Sequence, residues 1–506
     1  MNSGKIEKLQ RILIQIYLIL LCGGLPLFYV RTYAGIGTWK WRYYCAVTLG
    51  FRSGFLFVPG IILVMTGLHL LLVVQKGKMR RMENPFLAGY LMIACLSAWM
   101  ADDRVIALQG YPGWYMGLKA QISFVLVYVM IRTYWQPDRR LLRLNGVVSS
   151  AVFALEILNR FWLYPFGIAA GFGRDVLINF VSTIGNINWF AGYAICMVPL
   201  AFGVFLQAED TLSRRLAGLW VSLTAMMTVT LNSESLICAF FAVCAVFVFL
   251  CPDERPKLMR LVRMFLLIAA SWLVIGLAYR LFKGHVVPLG RLSRGLMNPL
   301  LNVVLLAGFT VMERRMSNPV TAVSWTTGQK KQAVLVLAGL AVMMMIGLRL
   351  AGSRYLVWND RWGNHRGLLW RLTAETWKEL LRDAPLQALL GCGPDQYAAV
   401  LQKYRAEQLR TVFYTQAVTN AHNEFLTALI NYGLSGAICY AGIWGCEIRR
   451  LVHAMPQQPW LATGIACMIG YMVNAFFTFQ QIAAVPFIFT LMAVFAVRAE
   501  EMHHSN

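Results

Sequence analysis

Ile61-Ile-Leu-Val-Met-Thr-Gly-Leu-His69-Leu-Leu-Leu-Val-Val74 decides the fold class, because fourteen consecutive positions carry no formal charge at neutral pH. About 20 apolar residues cross a bilayer, and this run is one of many. Residues 333–350 are apolar almost throughout in the same way. Hydrophobic residues make up 58% of the 506-residue chain and charged ones 14%, with mean hydropathy +0.57. Soluble domains carry about 25% charged residues. The chain therefore lacks the polar surface of a soluble globular domain, and the expected class is all-α.

Apolar runs place spans near 9–30, 54–74, 85–101, 114–131, 144–168, 186–206, 216–231, 236–250, 264–282, 296–312, 333–350, 424–445, 461–479 and 485–498. The third, eighth, tenth and last are short for a span, so 12–14 transmembrane helices are expected. No small-residue cleavage site follows the first run, which reads as a retained helix rather than a leader. Lys and Arg outnumber Asp and Glu, 46 to 23. They gather in alternate loops, as at Arg139, Arg140 and Arg143. The positive-inside rule then puts both termini in the cytoplasm, and the charge is a membrane signature rather than a nucleic-acid one. Most of the eleven cysteines lie in apolar runs, where Cys packs as a small hydrophobe. No Cys/His spacing suggests a metal site, and no cofactor is expected.

Three regions follow: residues 1–350 with eleven spans, an extracytoplasmic helical segment at 351–423, and C-terminal spans within 424–506. The middle segment holds nine Lys and Arg against six Asp and Glu. Leu369, Trp370, Thr373, Trp377, Leu380 and Leu381 recur at helical spacing. The helix they imply should end before Pro385. Gly391-Cys392-Gly393-Pro394-Asp395 reads as a turn, with Asp395 a cap for a second helix to about Gln408. A basic, aromatic segment beside the bilayer suits an anionic lipid-linked ligand; a solvated lid is the bland alternative.

Ionisable residues inside spans are functional candidates by default. Glu156 and Arg160, four apart on one helix, read as a structural pair or a contribution to a donor site. Lys119 reaches toward a lipid headgroup or snorkels, and His69 reads as a satisfied core residue.

Three patterns occur in order: Gly185-Asn186-Ile187-Asn188-Trp189; Arg366-Gly-Leu-Leu-Trp370 with Gly391-Cys-Gly393-Pro394; and Asn420-Ala-His422-Asn423-Glu424 entering the span with Tyr432-Gly433-Leu434. Each alone is weak. Together, over roughly 180–440, they resemble the O-antigen ligase and O-antigen polymerase superfamily.

That resemblance implies a GT-C-type membrane glycosyltransferase at the outer face of the bacterial inner membrane, independent of metal. Its partners would be an undecaprenyl-diphosphate-linked glycan donor, a glycan or glycolipid acceptor, and the bilayer. His422 matches the family's His, proposed to activate the acceptor hydroxyl or steady the leaving diphosphate, and Arg366 matches its diphosphate-contacting Arg. Elementary chemistry agrees. A diphosphate leaves readily once its charge is met by a planar guanidinium fork, and imidazole suits proton removal near neutral pH. Asn186, Asn188, Trp370, Asn420, Asn423 and Lys119 are expected around the substrate, with Glu424 holding the imidazole tautomer. The sequence departs from the family at Thr230-Leu-Asn-Ser-Glu234-Ser, where Glu234 replaces an Arg. Ser293-Arg294-Gly295 lies one helix pair later, so Arg291 or Arg294 could supply the missing charge. A catalytically divergent relative and a polysaccharide-lipid flippase are the alternatives; the chain lacks the internal repeats common in transporters.

Overall fold

The structure is a computed structural model that describes residues 3–54, 56–76, 84–318, 328, 332, 359–414 and 416–500. The span expected at 333–350 lies outside them. Among the described residues 76% are helix and 3% strand, in line with the all-α expectation.

Five described helices are long and apolar enough to cross a membrane: Ser3–Leu27, Arg139–Arg160, Ile187–Gln207, Arg255–Leu281 and Glu424–Ala454. Four further apolar helices, including Pro85–Met100 and Glu234–Leu250, have 10–17 residues. The Arg139–Arg160 helix begins five residues before the expected 144 because Asp138 accepts from the Arg140 amide and caps it. The start expected at 54 is instead a hairpin, Gly50–Ser53 against Leu56–Pro59, and the helix opens at Ile61. Ile36–Thr48, read as loop, is also helical. Its buried Lys40 donates to the carbonyls of Leu25, Pro26 and Phe28 at 2.6, 3.1 and 2.8 Å. It thereby satisfies acceptors left over where the first helix ends.

One apolar core runs through the long helices. A second belongs to the middle segment and includes Leu369, Trp370, Leu380, Tyr397, Leu401 and Leu409. That segment folds as helices Trp362–Asp383, Pro385–Leu390 and Tyr397–Phe413. The first ends before Pro385 as expected, although Leu381 faces out and Leu372 and Thr376 face in. Asp395 does not cap the third helix. Its carboxylate accepts from the Tyr111 and Met116 amides at 2.6 and 3.1 Å, and Gln396 takes the cap position. The sequence around Asp395 looks like a cap, but a distant loop with unpaired amides outcompetes the local ones.

Two cores meet where the Glu424–Ala454 helix breaks. Gly433 has φ 65°, which interrupts the helical ladder. The carbonyls of Ile430 and Asn431, which would bond four residues ahead, accept instead from Cys392 and Gly393 at 3.0 and 2.9 Å. A Cβ on Gly433 would lie 2.4 Å from the Leu389 carbonyl carbon. Gly433→Ala is expected to lower stability by about 2 kcal/mol or more, from left-handed backbone and overlap together. Gly445→Ala, whose Cβ would meet nothing within 4 Å, is expected to be neutral or stabilising. Thermal unfolding of the two purified variants measures the contrast; equal melting temperatures would remove the argument.

Candidate functional site

His422 sits in a short connection between the Tyr397–Phe413 and Glu424–Ala454 helices, with φ 49°. Three local bonds hold that connection. The Asn420 side chain accepts from the His422 amide at 3.0 Å, and the Asn423 side chain caps the helix by accepting from Leu426 at 3.0 Å. Trp370 donates its indole N–H to the Ala421 carbonyl at 3.1 Å. Asn423 and Trp370, both expected at the substrate, are thus fasteners of the His422 backbone. Glu424 does not hold the imidazole: it is buried, and its two oxygens accept from Tyr440 and Tyr471 at 2.6 and 2.8 Å.

Arg366 begins the regular part of its helix, after a left-handed run at Gly363, Asn364 and His365. Its guanidinium acts on His422 across the intervening space. Burial, and then this positive charge, push the imidazole down to about 4, so it is neutral at pH 7. Burial also lowers Arg366, while the Glu234 carboxylate raises it. Both residues keep a buried nitrogen with no hydrogen-bond partner, Arg366 Nε and His422 Nδ1. Unpaired buried polar atoms are uncommon in folded proteins.

A small, partly open cleft of about 30 Å³ is lined by Trp114, Asp395, Asn420, Asn431, Phe479 and Gln480 among others. The imidazole packs edge-on against Phe479, ring centroids 5.2 Å apart. Neither Arg366 nor His422 is among the lining residues, contrary to the expectation of a shared cavity wall; Phe479, which packs on the imidazole, is. Trp114 comes from a loop whose ends touch: a Cβ on Gly117 would lie 2.3 Å from the Gly110 nitrogen. Asp395 clamps the loop through the Tyr111 and Met116 amides. Trp114 then contacts Phe479 and Trp189 at 4.9 and 5.6 Å. Neither Trp114 nor Gln480 stands out in the sequence: Trp114 is the first residue of the span expected at 114–131, whose helix instead opens at Leu118, and Gln480 lies in the link between the last two spans.

Other expected residues are placed apart from the cleft. Asn186 caps the Ile187–Gln207 helix through the Asn188 amide, 2.8 Å, and Asn188 is half-buried in its first turn. That turn reaches the cleft through Trp189. Lys119 is exposed, with its ammonium 5.9 Å over Trp41. Arg291 and Arg294 are exposed on the short helix Arg291–Leu296. The Gly290 amide before that helix donates to Asn232 at 2.7 Å, which fixes it beside the Glu234 loop. Glu156 and Arg160 form a buried 2.9 Å pair completed by Thr230 and by the Ile178 and Leu231 carbonyls, a satisfied structural network. His69 is likewise satisfied, by the Tyr134 hydroxyl at 2.7 Å.

The Arg366 effect on His422 has a direct check. In Arg366→Met the imidazole is expected to titrate higher than in the wild type, while staying below 6.5 because burial remains. Histidine-selective NMR, with His422→Gln to assign the resonance, follows the shift; an unmoved or lowered midpoint would refute the coupling. Compared with models of known protein families and with curated proteins, the chain matches none.

Proposed function

We propose that this chain is a polytopic GT-C-type membrane glycosyltransferase. It transfers a glycan from an undecaprenyl diphosphate carrier to an acceptor hydroxyl at the outer face of a bacterial inner membrane. The observation that carries the reading is that Arg366 and His422 each keep one buried nitrogen without a hydrogen-bond partner, with the guanidinium charge bearing on the imidazole. A guanidinium held partly dry is a strong anion site. A neutral imidazole beside it can receive a proton.

In this reading the acceptor hydroxyl gives its proton to His422 as its oxygen attacks the anomeric carbon. The bond from that carbon to the diphosphate breaks, and the electron pair leaves with the lipid diphosphate. Attack from the face opposite the leaving group inverts the anomeric centre. Arg366 stabilises the charge that grows on the departing group. The incoming diphosphate offsets Arg366, which raises the basicity of His422 toward the range where a general base works best. The Glu234 carboxylate acts against burial on Arg366. Arg291 and Arg294 lie on the short helix tethered next to the Glu234 loop and would add positive charge that draws the diphosphate in.

With a lipid-diphosphate-linked glycan donor and purified protein, Arg366→Ala and His422→Ala are expected to lose transfer by about a hundredfold or more while inserting and folding normally. Arg366→Lys should rescue poorly, because a point charge cannot reproduce bidentate contact. His69→Ala, remote from the site, should keep activity. Wild-type turnover by His422→Ala would overturn the mechanism, and full activity of Arg366→Lys the fork argument.

Topology follows from the same reading. In Val400→Cys, a membrane-impermeant thiol reagent is expected to label residue 400 from the outer side in oriented membranes. Labelling from the cytoplasmic side alone would invert the arrangement.

A further inference from the structure

We propose that Phe479 is a positioning residue: it sets the orientation of the His422 imidazole, and Trp114, on a loop clamped by Asp395, holds Phe479 in place. The kinetic consequence rests on the transferase reading above, and the positioning itself on the packing.

A general base works only while its free nitrogen faces the proton it takes. A neutral imidazole has one such nitrogen, so rotation of the ring carries it away. Functional histidines are commonly held by a hydrogen bond at the far ring nitrogen. Among the described residues that device is absent from His422. Its Nδ1 is buried without a partner, and the adjoining Glu424 accepts from Tyr440 and Tyr471 instead. The bonds from Asn420 and Trp370 fasten the backbone of residues 421 and 422, not the ring. What the ring meets is Phe479, with centroids 5.2 Å apart and planes at 79°. Edge-to-face contact of this kind is a favoured aromatic geometry.

Phe479 can orient a neighbour only if it is itself held. It is 7% exposed and meets Trp114 at 4.9 Å, with planes at 88°. Trp114 in turn packs on Trp189 at 5.6 Å. Gln481, two residues beyond Phe479, donates to the Trp189 carbonyl at 3.2 Å, so both rings share one anchor. The Trp114 loop is pinned on two more sides. Asp395 accepts from the Tyr111 and Met116 amides. Tyr115 stacks on Trp41 with planes 3° apart, and its hydroxyl lies 3.2 Å from that of Thr38. A turn at Asp395 is thereby coupled to His422 through two aromatic rings. Support of this sort from behind is what keeps a reacting group in its productive pose.

The test uses full-length protein in nanodiscs and two readouts. NMR relaxation of the labelled His422 ring, assigned with His422→Gln, is expected to report a rigid imidazole in the wild type. The ring should become mobile in Phe479→Leu and in Trp114→Leu, and stay rigid in Phe479→Tyr, which keeps the aromatic contact. In a transfer assay Phe479→Leu should lower kcat about tenfold or more and leave donor and acceptor KM unchanged. Phe479→Tyr should recover most of that loss. Trp114→Leu should lower kcat less, and adding it to Phe479→Leu should cost nothing further, because both act through one contact. Trp114→Leu carries both readouts if Phe479→Leu does not fold. An imidazole as rigid in folded Phe479→Leu as in the wild type, or an unchanged kcat, would overturn the positioning role. Fully additive losses in the double variant would overturn the link through Trp114. A ring that loosens as expected in a protein without any transfer activity would sustain the positioning and overturn the transferase reading.

Discussion

Two backbone hydrogen bonds hold this architecture in register. A helix entering an apolar environment must satisfy its own carbonyls, because neither hydrocarbon nor apolar protein supplies donors. The Glu424–Ala454 helix breaks that rule at Gly433 and exposes the carbonyls of Ile430 and Asn431. The amides of Cys392 and Gly393 meet them. The Pro385–Leu390 helix and the turn after it are therefore bonded into the long helix rather than resting on it. Asp395, two residues beyond Gly393, reaches the Trp114 loop, and Asn431 takes its place in the cleft.

The electrostatics around His422 follow from the same packing. Burial disfavours charge on both the imidazole and the guanidinium, and the guanidinium disfavours it further on the imidazole, while Glu234 acts the other way on Arg366. In the proposed reading an anionic ligand would offset these penalties. Among the described residues that line the cleft there is no cationic group. Glu234, where the resembling family carries Arg, faces Arg366 electrostatically. It is exposed, and its charge raises the Arg366 guanidinium that burial lowers.

Left-handed backbone recurs at the turns of the site. Asn232, His365, Asp395 and His422 all have positive φ. Asn, Asp and His tolerate this region better than most side chains. These residues thus serve two ends, turning the chain and carrying polar groups inward. The cost, of order 1–2 kcal/mol each, is offset by bonds such as Asn420 to the His422 amide.

The amino-acid sequence alone determined the helical class, the position of most long helices, the helical segment with its own core before the Glu424–Ala454 helix, and the two residues on which the proposed chemistry rests. Each is a local or periodic property. Apolar run length marks a helix able to cross a membrane, proline stops the 366–383 helix, and Asn420-Ala-His422-Asn423 is legible as a motif. Tertiary structure alone decided what each polar group spends its hydrogen bonds on. Asp395 looks like a cap and instead clamps a loop nearly three hundred residues earlier in the chain. Glu424 adjoins His422 in sequence yet turns to Tyr440 and Tyr471. Trp114 and Gln480 become cleft walls only because distant helices bring their loops together. A donor or acceptor pairs with whichever partner arrives unsatisfied in the folded chain, and sequence spacing does not encode that arrival.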